Sequence, residues 1–440
     1  MSTFPATGKS RISIDIGALE KLAPKTVLAI VPYVFFVFAN IYDMGGTHGL
    51  KYVSYVLLAF LIGFARKPLH LRVYEEFGII AMFFVWPVCC LFIGLSNGAD
   101  IGGDYGSLSQ ATPFLGFFVP LLVVPILGAQ RVLTYLYYSF VTIALAVVII
   151  TPLEFQGWAM GFITHIPDYC SALFSPYDGG IRQHRLYFQA TLWLVPTAIY
   201  FAKTSRFRLA MLCLAGLIMA SSRSGALIVL IFILAILIKT PKYRTSGLIS
   251  LAIAVAFGIY FLPAFVQSTI NAFLSSDSPG MLKRYGHAVS VIQLFIQKPW
   301  TIFIGNGAGA TFYSSGTSAW EVRMESDHLD AIFHYGIIWF GAFTWLCAWT
   351  IRRLLRSIQE NHKAHGLALL SMYFASGTNP QLISPLFMFY LCACFLMARP
   401  LGKCSPAKSA VSSRFTSREA HQPDSAARRN LPSPRLGAEI

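Results

Sequence analysis

Residues 207–239 read FRLAMLCLAGLIMASSRSGALIVLIFILAILIK, an apolar run interrupted at Ser222-Arg223-Ser224. The run is too long for one ordinary membrane span, and the interruption predicts two short helices of about 14 to 16 residues. At about 1.5 Å per residue each helix covers roughly 21 to 24 Å, less than the roughly 30 Å hydrocarbon core of a bilayer. We therefore expect the turn at Arg223 to lie recessed below the membrane surface and to face a cavity. Charge at that depth is costly, so Arg223 is a candidate functional residue.

Apolar runs of this kind recur along most of the chain. Hydrophobic residues make up 55% of the sequence and charged residues 12%, a composition that excludes an ordinary soluble enzyme. We predict an all-α polytopic membrane protein with about twelve transmembrane helices. The predicted spans begin near Thr26, Tyr52, Phe77, Thr112, Val132, Leu186, Phe207, Gly225, Gly247, Ala331, Gly366 and Ser384.

The distribution of basic residues predicts the orientation of these spans, because short cytoplasmic loops retain Lys and Arg. Alternate loops carry Arg66, Lys67 and Arg72; Arg131; Lys203, Arg206 and Arg208; Lys239, Lys242 and Arg244; and Arg352, Arg353 and Arg356. The opposite side receives two long loops, 152–185 and 265–330. We expect cytoplasmic termini and outward-facing long loops. The net charge of +15 follows mainly from this topology and from the tail, so it does not indicate nucleic-acid binding.

The chain divides into three parts by composition. Residues 1–25 are predicted to be a cytoplasmic N-terminal segment, and residues 26–398 a transmembrane domain whose first span acts as an uncleaved membrane signal. Residues 399–440 are rich in Ser, Pro, Ala and Arg and have little apolar content. Such a segment cannot offset the entropy of folding, so we predict a disordered, basic cytoplasmic tail.

The second long loop contains a predicted helix. Ser278-Pro279 reads as an N-cap followed by proline at the first helical position, and the helix can continue to about Gln297. Arg284 and His287 are predicted to share a polar face, opposite an apolar face of Val289, Ile292 and Ile296.

A glycine-rich turn follows this helix. The residues are Gly305-Asn306-Gly307-Ala308-Gly309, which lack both the Gly-Lys-Ser/Thr ending of a phosphate loop and the GxGxxG spacing. We therefore predict a tight turn whose backbone approaches a neighbouring segment.

Acidic residues surround one histidine directly before the tenth predicted span. The order is Glu325-Ser326-Asp327-His328-Leu329-Asp330, and Asp327 is predicted to cap the helix that follows. His328 would then lie in the first turn of that helix at the membrane boundary. A histidine that titrates near neutral pH suits the removal of a proton from a hydroxyl group.

In this order the motifs resemble the O-antigen polymerase and ligase family of bacterial membrane glycosyltransferases. The resemblance covers roughly 180–348 and depends on the order and the shared outward side of the motifs. They are Ser222-Arg223-Ser224-Gly225, Lys283-Arg284-Tyr285, Pro299-Trp300, the glycine-rich turn, His328 and Gly336-Ile337-Ile338. The resemblance implies a C-type glycosyltransferase architecture in the bacterial inner membrane, with a periplasmic active site that acts on undecaprenyl-diphosphate-linked glycans.

The resemblance also implies roles for single residues. Arg223 and Arg284 match family arginines that bind the diphosphate of the lipid-linked donor, and two guanidinium groups suit two phosphates. His328 matches the histidine that activates the acceptor hydroxyl. Ligases of the family often have Asn after this histidine, where this chain has Leu329. The alternative bases are Asp327, Asp330 and Glu325.

Two further arginines end the first long loop. Arg182 and Arg185 stand directly before the sixth predicted span. They are candidates for a basic rim that binds glycan or diphosphate. Anchoring of a helix end at the membrane interface by Arg and Tyr is an equally good interpretation.

The expected function is that of a polymerase of exopolysaccharide or O-antigen repeat units. A ligase that transfers glycan to lipid A core or another acceptor is one alternative. A polysaccharide transporter or lipid-linked-sugar flippase is the other, although such a protein would show related halves and ionisable groups within several spans. The expected partners are the lipid-linked oligosaccharide, the bilayer, and a chain-length regulator and flippase of the same pathway. We expect no cofactor, and no metal requirement because no His, Asp or Glu cluster has convincing metal-ligand spacing.

Overall fold

The computed structural model of the chain describes residues 24–42, 50–60, 73–102, 106–155, 170–239 with gaps at 173–174, 178–180, 184–185 and 221, parts of 245–256, 279–377 and 381–399. The predicted N-terminal segment lies almost entirely outside the described residues. The predicted tail beyond residue 399 and most of the predicted ninth span also lie outside them.

Helices connected by short segments form the first part of the chain. They are α1 (Pro24–Tyr42), α2 (Leu50–Phe60), α3 (Val73–Ser96), α4 (Ser107–Leu127) and α5 (Ala129–Phe155). Helix α3 contains a π-helical turn at Ala81–Val85, and α4 contains a 3-10 segment at Thr112–Phe117. Pro113 lacks the amide hydrogen that a regular α-helix uses, which favours the tighter segment.

Two antiparallel strand pairs follow α5. The strands are β1 (Cys170–Ala172), β2 (Ser175–Tyr177), β3 (Ile181–Gln183) and β4 (Leu186–Phe188), and β1 pairs with β4 while β2 pairs with β3. A 3-10 turn, Gln189–Trp193, then leads into the next helix. The sixth span was predicted to begin near Leu186 but its helix begins at Leu194, because Leu186 pairs with Ala172 in a strand.

The rest of the described chain is again mainly helical. Its elements are α6 (Leu194–Lys203), α7 (Phe207–Met219), α8 (Arg223–Lys239), α9 (Pro279–Gln297), α10 (Thr301–Ile304), β5 (Phe312–Ser314), β6 (Ala319–Glu321), α11 (Asp327–Leu355), α12 (Glu360–Ala375) and α13 (Pro385–Ala398). Helices α7 and α8 contain 13 and 17 residues, so the predicted division of the long apolar run is confirmed. The bounds of α9 confirm the predicted start at Pro279 and end at Gln297.

Four described helices are long and apolar enough to cross a membrane. They are Val73–Ser96, Ser107–Leu127, Ala129–Thr151 and Asp327–Leu355, and shorter apolar helices include Phe207–Met219 and Pro385–Ala398. The described part of the protein is mostly helical. Its long apolar helices indicate that the protein is embedded in a membrane. The number of about twelve spans stays a prediction.

Helices α6 and α13 lie at the centre of the bundle. Residues 194–202 and 385–395 are buried without exception, which requires helices that are apolar on every side. The hydroxyl of Tyr137 in α5 lies 2.6 Å from that of Tyr390 and 3.2 Å from Nδ1 of His365. These buried polar groups therefore provide hydrogen-bond partners for one another.

Candidate functional site

The candidate site surrounds the start of α11. A break in this helix at Gly336 separates residues 327–335 from the rest of the helix. Gly336 has φ 79° and ψ 163°, which are not helical angles. A Cβ atom at this position would lie 2.2 Å from the carbonyl oxygen of Phe303 in α10. Only glycine allows both this backbone conformation and this approach. The break separates the segment that carries the predicted site residues from the apolar remainder of the helix.

Asp327 is the first helical residue of α11, and Ser326 precedes it as the N-cap. Its Oδ2 atom accepts hydrogen bonds from the amides of Gln381 and Leu382. The prediction that Asp327 caps its own helix is therefore wrong, because the segment before α13 presents two amides to the carboxylate. The side chain is fully buried, and Oδ1 has no hydrogen-bond partner among the described residues.

His328 lies against aromatic side chains. Its ring centroid is 4.8 Å from that of Tyr373 and 5.8 Å from that of Phe340. The residue is half-buried, and within the described part of the chain Nε2 has no hydrogen-bond partner. Among the described residues, no ion pair joins His328 to an acidic side chain. The carboxylates of Asp327 and Asp330 accept hydrogen bonds from backbone amides instead.

Asp330 and His334 form a buried pair that the sequence analysis did not predict. Oδ1 of Asp330 accepts a hydrogen bond of 2.9 Å from the amide of Met324 and lies 3.5 Å from Nε2 of His334. The Nδ1 and Nε2 atoms of this imidazole each lie 2.9 Å from a carbonyl oxygen, of Gly307 and Val322 respectively. Carbonyl oxygens only accept, so each ring nitrogen is placed to donate, and a doubly protonated ring would face the Asp330 carboxylate.

The glycine-rich turn connects this pair to α3. Gly305, Gly307 and Gly309 all have positive φ, at 84°, 95° and 77°. A Cβ atom on Gly307 would lie 2.1 Å from the backbone nitrogen of Gly94 in α3. The prediction of a tight turn whose backbone approaches a neighbour is therefore confirmed. The same turn provides the carbonyl oxygen that fixes His334.

Arg284 and Glu325, predicted separately as a substrate ligand and a base, form an ion pair. Nε of Arg284 lies 2.8 Å from Oε2 of Glu325, and Nζ of Lys283 lies 3.8 Å from the other carboxylate oxygen. The pair is partly exposed and joins α9 to the segment before α11. Because each oxygen of the Glu325 carboxylate faces a cation, the geometry favours charge compensation over the role of a base.

The buried side of α9 differs from the predicted one. Ile292 and Ile296 are 53% and 72% exposed, whereas His287 is 2% exposed. Arg284 lies on the surface, so its predicted shared face with His287 is also wrong. The His287 ring meets the edge of Phe312 in β5 at a centroid distance of 5.5 Å. Strands β5 and β6 pair antiparallel as a hairpin, with Phe312 opposite Glu321. This hairpin therefore determines which side of α9 is buried, and the exposed isoleucines suit contact with lipid.

Arg323 belongs to the site although the sequence analysis did not single it out. It is partly buried, and among the described residues its Nε atom has no hydrogen-bond partner. Its charge interacts with the carboxylate of Asp327. The signal in the sequence is an arginine between Glu321 and Glu325, five residues before the predicted base His328.

The structure describes only the backbone of two other predicted arginines and no part of a third. Arg223 is the first residue of α8, and Arg182 lies in β3 opposite Pro176. Their side chains lie outside the described residues, and so does the whole of Arg185. Their substrate-binding roles stay predictions.

The chain matches no protein family model, no curated protein and no solved structure. The described residues contain no group of at least 3 His, Cys, Asp or Glu side chains that could hold a metal ion. The family resemblance thus depends on the sequence motifs, and the function has to be argued from the site.

Proposed function

We propose that the protein is a polymerase that joins undecaprenyl-diphosphate-linked oligosaccharide repeat units at the periplasmic face of the bacterial inner membrane. A hydroxyl oxygen of one unit attacks the anomeric carbon of another glycan, and the bond from that carbon to the diphosphate breaks. The hydroxyl proton passes to Nε2 of His328, and undecaprenyl diphosphate leaves. Arg223 and Arg284 stabilise the charge of the leaving diphosphate.

The state of His328 is the observation that supports this mechanism most directly. Nε2 is covered and has no hydrogen-bond partner among the described residues. A general base needs a ring nitrogen that no other group occupies, so this state suits acceptance of the hydroxyl proton. The neighbouring carboxylate of Asp327 is fully buried and already binds amides, which leaves the half-buried imidazole as the better base.

Two ion pairs support the proposed orientation. Nζ of Lys203, at the end of α6, lies 2.9 Å from the carboxylate of Glu360 at the start of α12. Arg399 at the end of α13 lies 2.5 Å from Glu75 at the start of α3. The predicted topology assigns the ends of α6 and α13 and the starts of α3 and α12 to the cytoplasmic side. His328, at the other end of α11, then belongs to the periplasmic side.

The test is a deletion strain complemented with wild type, His328→Ala or His328→Gln. Lipid-linked and finished glycans are separated by chain length and by their attachment. We expect wild type to restore long chains and both variants to accumulate single repeat units, with elongation reduced by about 100-fold or more, as for loss of a general base.

The matched control is His362→Ala, which removes another half-buried imidazole at the opposite end of the bundle. It should elongate chains normally. If the deletion strain makes long chains that remain on the undecaprenyl carrier, the protein is a ligase. If repeat units remain in the cytoplasmic leaflet, it is a flippase, and the polymerase proposal is wrong.

A further inference from the structure

A groove of about 440 Å³ runs along the outside of α11 and α12. Helix α11 contributes one face from Thr344 to Arg356, and α12 contributes Leu370, Tyr373 and Phe374. The hydroxyls of Thr344 and Tyr373 lie 2.9 Å apart and close one end of the groove. The volume is typical of a small-molecule site.

The walls of the groove suit a hydrocarbon chain. Ala348, Ile351 and Leu355 are among the lining residues, and no acidic side chain is. Phe374, which lines the groove, is 57% exposed, as expected for a surface in contact with lipid.

The charge at the other end of the groove is positive. Arg352 and Arg356 both line it, and neither forms an ion pair with an acidic side chain in the described part of the chain. Like charges one helical turn apart repel each other, so an anion between them would remove the repulsion. Arg353 does not line the groove and instead lies over the Trp349 ring, 5.5 Å from its centroid.

The length of the groove corresponds to one leaflet of a bilayer. Thr344 and Arg356 are about 18 Å apart along the helix axis at ~1.5 Å per residue. Half of the hydrocarbon core is about 15 Å thick. An acyl chain that extends from the arginines toward Tyr373 therefore has a length suited to this surface.

We propose that the groove binds an anionic phospholipid, with one acyl chain against α11 and α12 and the phosphate between Arg352 and Arg356. Guanidinium groups form paired hydrogen bonds with phosphate oxygens, and basic sites between membrane helices select anionic head groups. Zwitterionic lipids bind less well because their own amine compensates the phosphate. The Tyr373 ring, which lines the groove, also lies 4.8 Å from the His328 ring between centroids.

The probe is phosphatidylglycerol with a spin label on its acyl chain, added to the full-length protein in phosphatidylcholine nanodiscs. Binding is measured from the immobilised fraction of the label. We expect spin-labelled phosphatidylglycerol to bind at least about 10-fold more tightly than spin-labelled phosphatidylcholine. The Arg352→Gln/Arg356→Gln variant should lose that preference. All three arginines stand at the end of α11, so Arg353→Gln is the matched control and should bind like wild type.

A second variant tests the chain rather than the head group. Ala348→Phe fills the groove and should release the labelled chain while leaving both arginines in place. Equal binding of labelled phosphatidylglycerol by the Arg352→Gln/Arg356→Gln and Arg353→Gln variants would overturn the proposal. So would wild-type binding by Ala348→Phe, or displacement of the lipid by glycerol 3-phosphate alone. These measurements require no glycan, so they succeed or fail independently of the polymerase proposal.

Discussion

The Nε atom of Arg284 lies 2.8 Å from Oε2 of Glu325, so an expected phosphate ligand and an expected base compensate each other. The contact joins α9 to the segment that leads into α11, although 41 residues separate the two in sequence. A donor diphosphate would compete with Glu325 for the guanidinium group. The polymerase proposal therefore predicts opposite effects of the two residues on donor binding.

Glu325→Gln and Arg284→Gln test this competition. We expect Arg284→Gln to raise the KM for the lipid-linked donor by about 10-fold or more, as for loss of a charged hydrogen bond. Glu325→Gln should lower that KM or leave it unchanged, because the carboxylate no longer competes. The measurement is chain elongation by the purified protein at varied donor concentration. Lys283→Gln, whose amine lies 3.8 Å from the same carboxylate, is the control. An equal loss in Glu325→Gln and Arg284→Gln would contradict the competition.

The buried pair of Asp330 and His334 gives a prediction about stability. Removal of one partner leaves the other charge buried, so Asp330→Leu and His334→Phe should each lower the free energy of unfolding by about 3 to 5 kcal/mol. The double variant should lose less than the sum of the two, because no charge remains uncompensated. Buried cysteines such as Cys347 and Cys392 provide the measurement, through their reaction with a thiol dye on heating. Additive losses would show that the two side chains do not interact.

The helix break at Gly336 predicts that alanine substitution has different effects on stability at two glycines of α11. Gly336→Ala combines a positive φ with a Cβ atom 2.2 Å from the Phe303 carbonyl, so it should destabilise the protein by at least about 1 to 2 kcal/mol. Gly341→Ala, at a helical position with nothing within 4 Å, should be neutral or stabilising. Thermal unfolding in detergent compares them. Similar midpoints for both variants would mean that the break is not required.

Local signals in the sequence predicted local features of the fold. Pro279 predicted the start of α9. The polar residues Ser222, Arg223 and Ser224 predicted the division of the long apolar run into α7 and α8. The spacing of Gly305, Gly307 and Gly309 predicted a close backbone approach. Each of these depends on the conformational limits of a few consecutive residues.

Contacts between distant segments were not predictable in this way. Asp327 binds amides at Gln381 and Leu382 rather than its own helix, because α12 returns the chain to the start of α11. Periodicity placed Ile292 and Ile296 on one side of α9 but did not show that this side is exposed, because the contact of His287 with Phe312 comes from a distant segment. The partners of His334 likewise come from other segments, since Gly307 lies in the glycine-rich turn and Val322 directly follows β6.

His287 predicts a loss of stability in acid. Burial lowers its pKa below the ordinary value of about 6.5, and Lys283 acts in the same direction, against the weaker opposing effects of Glu321, Glu325 and Asp330. The unfolded chain binds the proton more readily, so stability is fully present above about pH 6.5 and is lost as the pH falls from there toward the folded-state pKa. The loss is at most about 1.4 kcal/mol per pH unit. Hydrogen exchange of α9 at pH 7.5 and 5 measures it, and His287→Leu should show a smaller difference between the two pH values. If both proteins respond equally to pH, another group controls the acid sensitivity of this segment.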